Sequence, residues 1–375
     1  MKGVVGSKGT KGRILREMNR LLAAGVAGYV FPGAVACFAF REEDRWDYTT
    51  SAQGLLGRGL TRVRVDSPYD LASLTKSFVA TTALRMVEAD AIDLDLRVSD
   101  GLNELRSLAV DPTLEALLSH RSGLAAWGGL YLDVPHEPGT GAAQRWIIGE
   151  AARRRGNAGP GKCEYSDLGY MLAGEMIGRY DRNGLADAVR TRVTEPIGIA
   201  DQVFYGAALT PEQRAKLALD APPTERCEWR GRLVRGRVHD ENCFALGGVG
   251  GHAGMFGTAH GVARFATTLL DVLAGRSDFL ARETLELALK PRGEDGSYRM
   301  GFDVKSGEHA SAGRRLGPRT FGHLGFTGTS YWCDPDAEVA VVLLTNRVHP
   351  SRANVKIKGF RPAFHDGLMA AFSVP

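Results

Sequence analysis

The sequence predicts an α/β protein of the α+β kind, with one sheet assembled from both ends of the chain and a helical region inserted between them. Three observations lead there. Near the N-terminus, residues 34–40 form an uncharged apolar run and residues 45–48 a strand-like stretch. After Ser297, residues 298–304, 321–324, 330–334 and 339–346 read as strands separated by turns. Between these ends the apolar residues recur at three and four, the helical period. Strands at both ends with helices between them favour one sheet that both termini share. The expected division is a discontinuous sheet domain, residues 1–77 and 290–375, and a largely helical domain, residues 78–289, with a cleft between.

Taken in order, Ile14, Met18, Leu21 and Leu22 form the apolar face of a first helix. Residues 21–40 carry no charge, a length that would span a bilayer. Gly25, Gly28, Pro32 and Gly33 interrupt the run, so it divides into a helix end, a turn and a buried strand over 34–40. Residues 45–48 and 61–65 read as short strands around a Gly-rich turn. Phe78, Val79, Thr82, Ala83, Met86 and Val87 mark one face of the next helix. Residues 92–96 form a loop, and 113–118 a helix running towards His120. The helical pattern recurs to about residue 285, clearest over 262–272. Ile357, Phe360, Phe364, Leu368 and Phe372 share one face of a closing helix. Neither internal repeats nor low-complexity segments occur.

The 375 residues are 44% hydrophobic and 24% charged, the profile of a globular protein with ample core. A net charge of +4 is too mild to argue for nucleic acid. Arg153, Arg154 and Arg155, and the looser set from Arg226 to Arg237, read as solvated faces. Five scattered cysteines imply no disulfide framework, and Cys227, His239, Cys243 and His252 match no zinc spacing. The basic start, with Lys2, Lys8, Lys11 and Arg13, lacks the apolar run of a signal peptide, which favours a cytoplasmic location, with a periplasmic or extracellular one as the alternative. Residues 156–163 approach a phosphate-binding loop, but Cys163 replaces the magnesium-holding hydroxyl and Pro160 removes an N–H. Residues 248–253 approach a dinucleotide fingerprint without a convincing strand before it. No Gly-x-Ser-x-Gly elbow is present.

The chemistry centres on Asp70-Leu71-Ala72-Ser73-Leu74-Thr75-Lys76. A serine hydroxyl is a weak nucleophile until a base takes its proton. Lys76, three residues on, lies one helical turn away on the same face. The helix N-terminus adds N–H groups and a positive dipole end for a developing oxyanion. Asp70 is placed to cap the turn. Two later segments join this one. Tyr165-Ser166-Asp167 sits where a loop enters a helix and presents a phenol. His323-Leu324-Gly325-Phe326 lies on a strand whose glycines allow close approach of a substrate backbone. His120 and His252 read as loop organisers, and Trp127, Trp229 and Trp332 equally as cleft-lining or as packing residues.

These three motifs, in this order and at these separations, resemble the serine β-lactamase and penicillin-binding-protein superfamily, nearest its class C β-lactamase, DD-peptidase and esterase branch. Residues 117–124, 251–256 and 343–347 add to the likeness, which spans about residues 25–370. The resemblance implies a β-lactamase/transpeptidase-like fold, an antiparallel sheet flanked by helices plus a helical domain. It implies that Ser73 attacks a carbonyl to form an acyl-enzyme, that Lys76 and Tyr165 share proton transfer, and that the N–H groups of Ser73 and Phe326 form an oxyanion hole. His323, Gly325 and Asp167 would border the substrate. No metal or cofactor is called for. Two positions depart from the pattern. Asp167 replaces asparagine and lacks its amide donor. His323 replaces the lysine of β-lactamases, and an imidazole with an ordinary pKa of about 6.5 is mostly neutral at neutral pH. It would still donate one hydrogen bond and would favour uncharged esters over carboxylate-bearing β-lactams. The expected function is a serine hydrolase of β-lactams, D-amino-acid peptides or small esters. The alternative is a penicillin-binding or cell-wall-peptide sensor without turnover. The oligomeric state is not legible.

Overall fold

The charge-free run at residues 34–40 belongs to a strand, Gly33–Glu42, whose first eight residues are all buried. Its side chains alternate between two cores. Val35, Cys37 and Ala39 enter one, and Ala34, Ala36, Phe38 and Phe40 enter the other. A strand with a core on each face offers no position for a charge. The computed structural model describes residues 7–373 except 58, 60, 106, 308 and 309, so Lys2 lies outside the described residues.

Six strands form the main sheet, in the order Arg45–Gly54, Gly33–Glu42, Val339–Thr345, Ser330–Asp334, Phe321–Leu324 and Asp303–Val304. Every neighbouring pair is antiparallel. Ala34 stands opposite Thr345 and Phe40 opposite Val339, so the two ends of the chain meet in the middle of one sheet. Val339, Val341 and Leu343 share the core of Phe38, while Ala340, Val342 and Leu344 share that of Cys37.

The helices Ser7–Ala27 and Ile357–Phe372 cover one face. They bury Ile14, Met18, Leu22, Phe364 and Leu368 with Trp332. The segment 21–40 is therefore a helix end, a turn and a strand. Among the described residues no helix is long and apolar enough to cross a membrane. The helix Ala259–Leu273 covers the other face. Its Phe265 lies 6.1 Å from Tyr331 of the sheet and stacks at 4.1 Å on Phe78 of the helix Thr75–Glu88. The expected division assigns 259–273 to the helical part, yet it packs on the sheet. One core continues from there through Met171 and Ile147 into the helical region, so no separate core marks the boundary.

Three strand readings change in extent. The stretch at 45–48 continues to Gly54. Residues 61–65 contribute only the isolated bridge of Arg62 to Leu55, because Val63 alone of that stretch is buried and no face holds a strand. Residues 298–304 reduce to Asp303–Val304 plus the bridge of Tyr298 to Asp303. Gly301 breaks that stretch at a positive φ of 84°, where a Cβ would lie 2.2 Å from Ala80. Its carbonyl accepts the Ser77 hydroxyl at 2.7 Å, which anchors the helix that follows Ser73.

Candidate active site

Ser73 sits on a single 3₁₀ turn, Ala72–Leu74, and the α-helix proper begins at Thr75. Ala72 occupies the left-handed region at φ 47°, which costs a non-glycine residue energy. Asp70 holds it there. One carboxylate oxygen accepts the Ala72 N–H at 2.8 Å and the other the His239 N–H at 2.6 Å. The tight turn keeps the three-residue spacing productive, and Lys76 Nζ donates to Ser73 Oγ at 2.9 Å.

Lys76 is fully buried, so its Nζ needs polar partners inside the protein. Besides Ser73 it donates to the His252 carbonyl at 3.2 Å. Asp167 Oδ1 lies 2.7 Å from Nζ, an electrostatic contact set off the hydrogen-bond axis. The rings of Tyr165 and Tyr170 flank the charge at 4.9 and 5.5 Å. Two local devices bring these partners in. Ser166 caps the helix Asp167–Tyr180 by accepting the Gly169 N–H at 3.0 Å, which sets Asp167 in its first turn. Gly251 lets the His252 segment press on that helix, where a Cβ would stand 1.9 Å from the Tyr170 carbonyl.

Tyr165 packs on His120 at 4.4 Å and on Tyr298 at 5.0 Å, and its hydroxyl faces Ser73. Burial first, and then Asp167, push the phenol well above its usual range, while Ser73 opposes them. It is therefore a protonated phenol at neutral pH. His120 Nδ1 accepts the Ser166 N–H at 2.9 Å, and His252 Nε2 pairs with Asp240 at 3.0 Å. Both organise loops.

His323 lies 6.3 Å from Tyr165 between ring centres. Burial first, and then Lys76, hold its pKa down to about 3. Its neutrality thus comes from the site rather than from ambient pH. Nδ1 lies 2.8 Å from the Leu324 carbonyl, which only accepts, so Nδ1 carries the proton and Nε2 is an acceptor. This corrects the expectation that the imidazole donates into the Ser73 network or to a substrate. Beyond it, Thr327 and Thr329 hydroxyls donate to the carbonyls of Asp70 and Leu71 at 2.8 and 3.0 Å. Those bonds tie the loop bearing Gly325 and Phe326 to the Ser73 turn. Gly325 has no room for a side chain, since a Cβ would lie 1.9 Å from Thr329 Oγ1.

Ser73, Tyr165, Asp167, Gly325 and Phe326 line one cleft of about 580 Å³. Trp127 (51% exposed) and Phe326 (49%) stand at its mouth. Trp332 is instead a strand residue buried in the core beneath the helices Ser7–Ala27 and Ile357–Phe372, and Trp229 meets Tyr131 edge to face outside the cleft lining. Arg347, Arg352, Lys358 and Arg361 line the same cleft. They weaken the argument from His323 against carboxylate-bearing substrates, since positive charge stands on another wall. Sequence reasoning missed Arg361 and the contact of Asp167 with Lys76. Arg347 lay within the quoted 343–347 segment but was given no role.

The antiparallel sheet and the helices packed on it define a β-lactamase/transpeptidase-like fold, with the Ser-x-x-Lys turn at its cleft. The particular family follows from comparison: the Beta-lactamase family model matches residues 18–360, and the chain belongs to that family. A Salmonella typhi protein provisionally named a D-alanyl-D-alanine carboxypeptidase is 27% identical over 354 residues, covering 87% of this chain and 80% of that one. Among solved structures, EstCE1, a hydrolase with promiscuous acyltransferase activity, superposes with a TM-score of 0.73 at 20% identity, over 95% of this chain and 99% of that one. The penicillin-binding protein homologue of Pyrococcus abyssi gives 0.69 at 18% identity, over 92% and 76%. At these identities the likeness to solved structures carries the fold alone.

Proposed function

We propose that this chain is an acyl hydrolase that uses Ser73 as nucleophile and turns over small esters, with D-amino-acid peptides and β-lactams as related substrates of the same chemistry. The observation that carries this reading is the 2.9 Å contact of Lys76 Nζ with Ser73 Oγ at the edge of an open cleft. Ser73 Oγ forms a bond to the substrate carbonyl carbon as its proton passes to the Lys76 amine, 2.9 Å away, while Tyr165 keeps its own proton for the leaving group. The N–H groups of Ser73 and Phe326 receive the negative oxygen. The carbonyl then re-forms and the leaving group departs with the proton, which Tyr165, held as a phenol, is suited to deliver. Water attacks the acyl-enzyme and returns a proton to Ser73 Oγ. The aromatic mouth, Trp127 and Phe326, favours an apolar acyl group.

Intact mass spectrometry after exposure to an activated ester and to a penicillin tests the reading. A transient adduct with multiple turnover is expected for at least the ester, and Ser73→Ala should acquire none while keeping its fold. A persistent adduct without turnover would make the chain a sensor. An adduct and turnover in Ser73→Ala would remove the central claim.

A further inference from the structure

The loop after the strand Phe321–Leu324 is held from behind by a charge that no carboxylate cancels. Arg361, on the closing helix, is 7% exposed and forms no ion pair among the described residues. Its Nη2 donates to the Gly325 carbonyl at 2.8 Å and to the Thr329 carbonyl at 2.7 Å. The Thr329 carbonyl also accepts the Gly325 N–H at 2.7 Å, which closes a tight turn. The Gly325 carbonyl and the Phe326 N–H belong to one planar trans peptide and point in opposite directions. The same oxygen accepts the Gly328 N–H at 3.1 Å, so the guanidinium and that turn bond together fix where the Phe326 N–H points. The guanidinium also draws electron density from the nitrogen, which strengthens the N–H as a donor.

We propose that Arg361 is a positioning residue that aims and polarises the Phe326 N–H towards the oxygen that turns negative when Ser73 attacks. This rests on the reading of that N–H as an oxyanion donor. Arg347 provides an internal comparison. Its Nε donates to the Phe326 carbonyl at 2.8 Å, and its guanidinium lies 4.5 Å from the Phe326 ring. That carbonyl belongs to the next peptide, whose N–H is that of Thr327. Arg347 braces the same loop without touching the donor peptide.

Arg361→Met, Arg361→Lys and Arg347→Met are compared on a neutral activated ester, with acylation resolved from binding by burst kinetics. Arg361→Met should acylate at least about tenfold more slowly, towards the 10²–10³-fold lost with one oxyanion donor, with KM changed only a few-fold. Affinity for phenylboronic acid, which forms a tetrahedral anion on the serine, should fall in parallel. Arg361→Lys, or guanidinium ion added to Arg361→Met, should restore part of the rate. A folded Arg361→Met that acylates at the wild-type rate overturns the proposal. So does a loss confined to KM for carboxylate-bearing substrates, or an equal loss in Arg347→Met. If Arg361→Met does not fold, the infrared carbonyl band of the Arg361→Lys acyl-enzyme decides. A shift to higher wavenumber supports the proposal and an unmoved band overturns it. A wild-type protein that forms no Ser73 adduct would instead overturn the functional reading.

Discussion

Lys76 shows how a motif of two residues depends on atoms outside it. Its Nζ donates to a hydroxyl and a carbonyl and lies 2.7 Å from a carboxylate set off the hydrogen-bond axis. The serine and the lysine are local in sequence, so their contact was legible from spacing. The carboxylate was not, because Asp167 reaches Lys76 only through tertiary packing. Tyr165 gives the sharpest test at this scale. Tyr165→Phe removes one hydroxyl and leaves the ring packed on His120, so single-turnover acylation should fall roughly 10²- to 10⁴-fold with little change in stability. Unchanged single-turnover rates would assign the phenol to packing. His323 gives a second. With its pKa held near 3, it does not titrate in the neutral range. The ratio of kcat/KM for a neutral ester to that for a chromogenic cephalosporin should show no step centred near the ordinary imidazole pKa of about 6.5. A step there that vanishes in His323→Gln would mean the ring is open to solvent.

At the scale of elements, the site is held where backbones press together. Gly251 and Gly174 bring the His252 segment and the helix Asp167–Tyr180 into direct contact; a Cβ on Gly174 would lie 2.7 Å from Gly251 N. That contact sets both the carbonyl and the carboxylate that receive Lys76. Gly251→Ala must push the two elements apart. We expect a loss of about 1–3 kcal/mol, as for other overpacked cores, read by urea unfolding. Acylation should weaken together with it, because the His252 carbonyl moves off Nζ. A stable Gly251→Ala with full activity would show that the segment yields elsewhere. Of the glycines in 248–253, a stretch that resembles a nucleotide fingerprint on paper, Gly251 serves this close approach.

Across the whole molecule, three buried histidines bear on acid stability. Burial holds His323 down to about 3, His365 down to about 4 and His120 well below its ordinary value. Unfolding frees each ring to take a proton near pH 6.5, which the folded protein refuses until far lower pH. The unfolded state therefore binds more protons across that window, and stability is complete above about pH 6.5 and drains as pH falls towards 4 and 3. Each ring contributes a slope of about 1.4 kcal/mol per pH unit. Urea midpoints from pH 7.5 to 5 should fall, and His365→Gln, which lies away from the cleft, should flatten the decline. A midpoint constant over that range would show the rings protonating in place.

Several features were fixed by local chemistry and therefore by the sequence alone. The uncharged run before Arg41 had to be a strand with two apolar faces, the period of Ile357 to Phe372 had to be a helix, and Ser73 and Lys76 had to share a face. The roles of Tyr165, Phe326 and His323 came only with the family likeness, since nothing in a lone tyrosine or histidine names its neighbours. What the tertiary structure alone decided is everything set by atoms distant in the chain. It put Asp167 against Lys76 at the cleft, turned the His323 proton to Leu324, packed 259–273 on the sheet and placed Arg361 behind Gly325. A charge or a proton goes where burial leaves it a partner, and burial is a property of the folded whole.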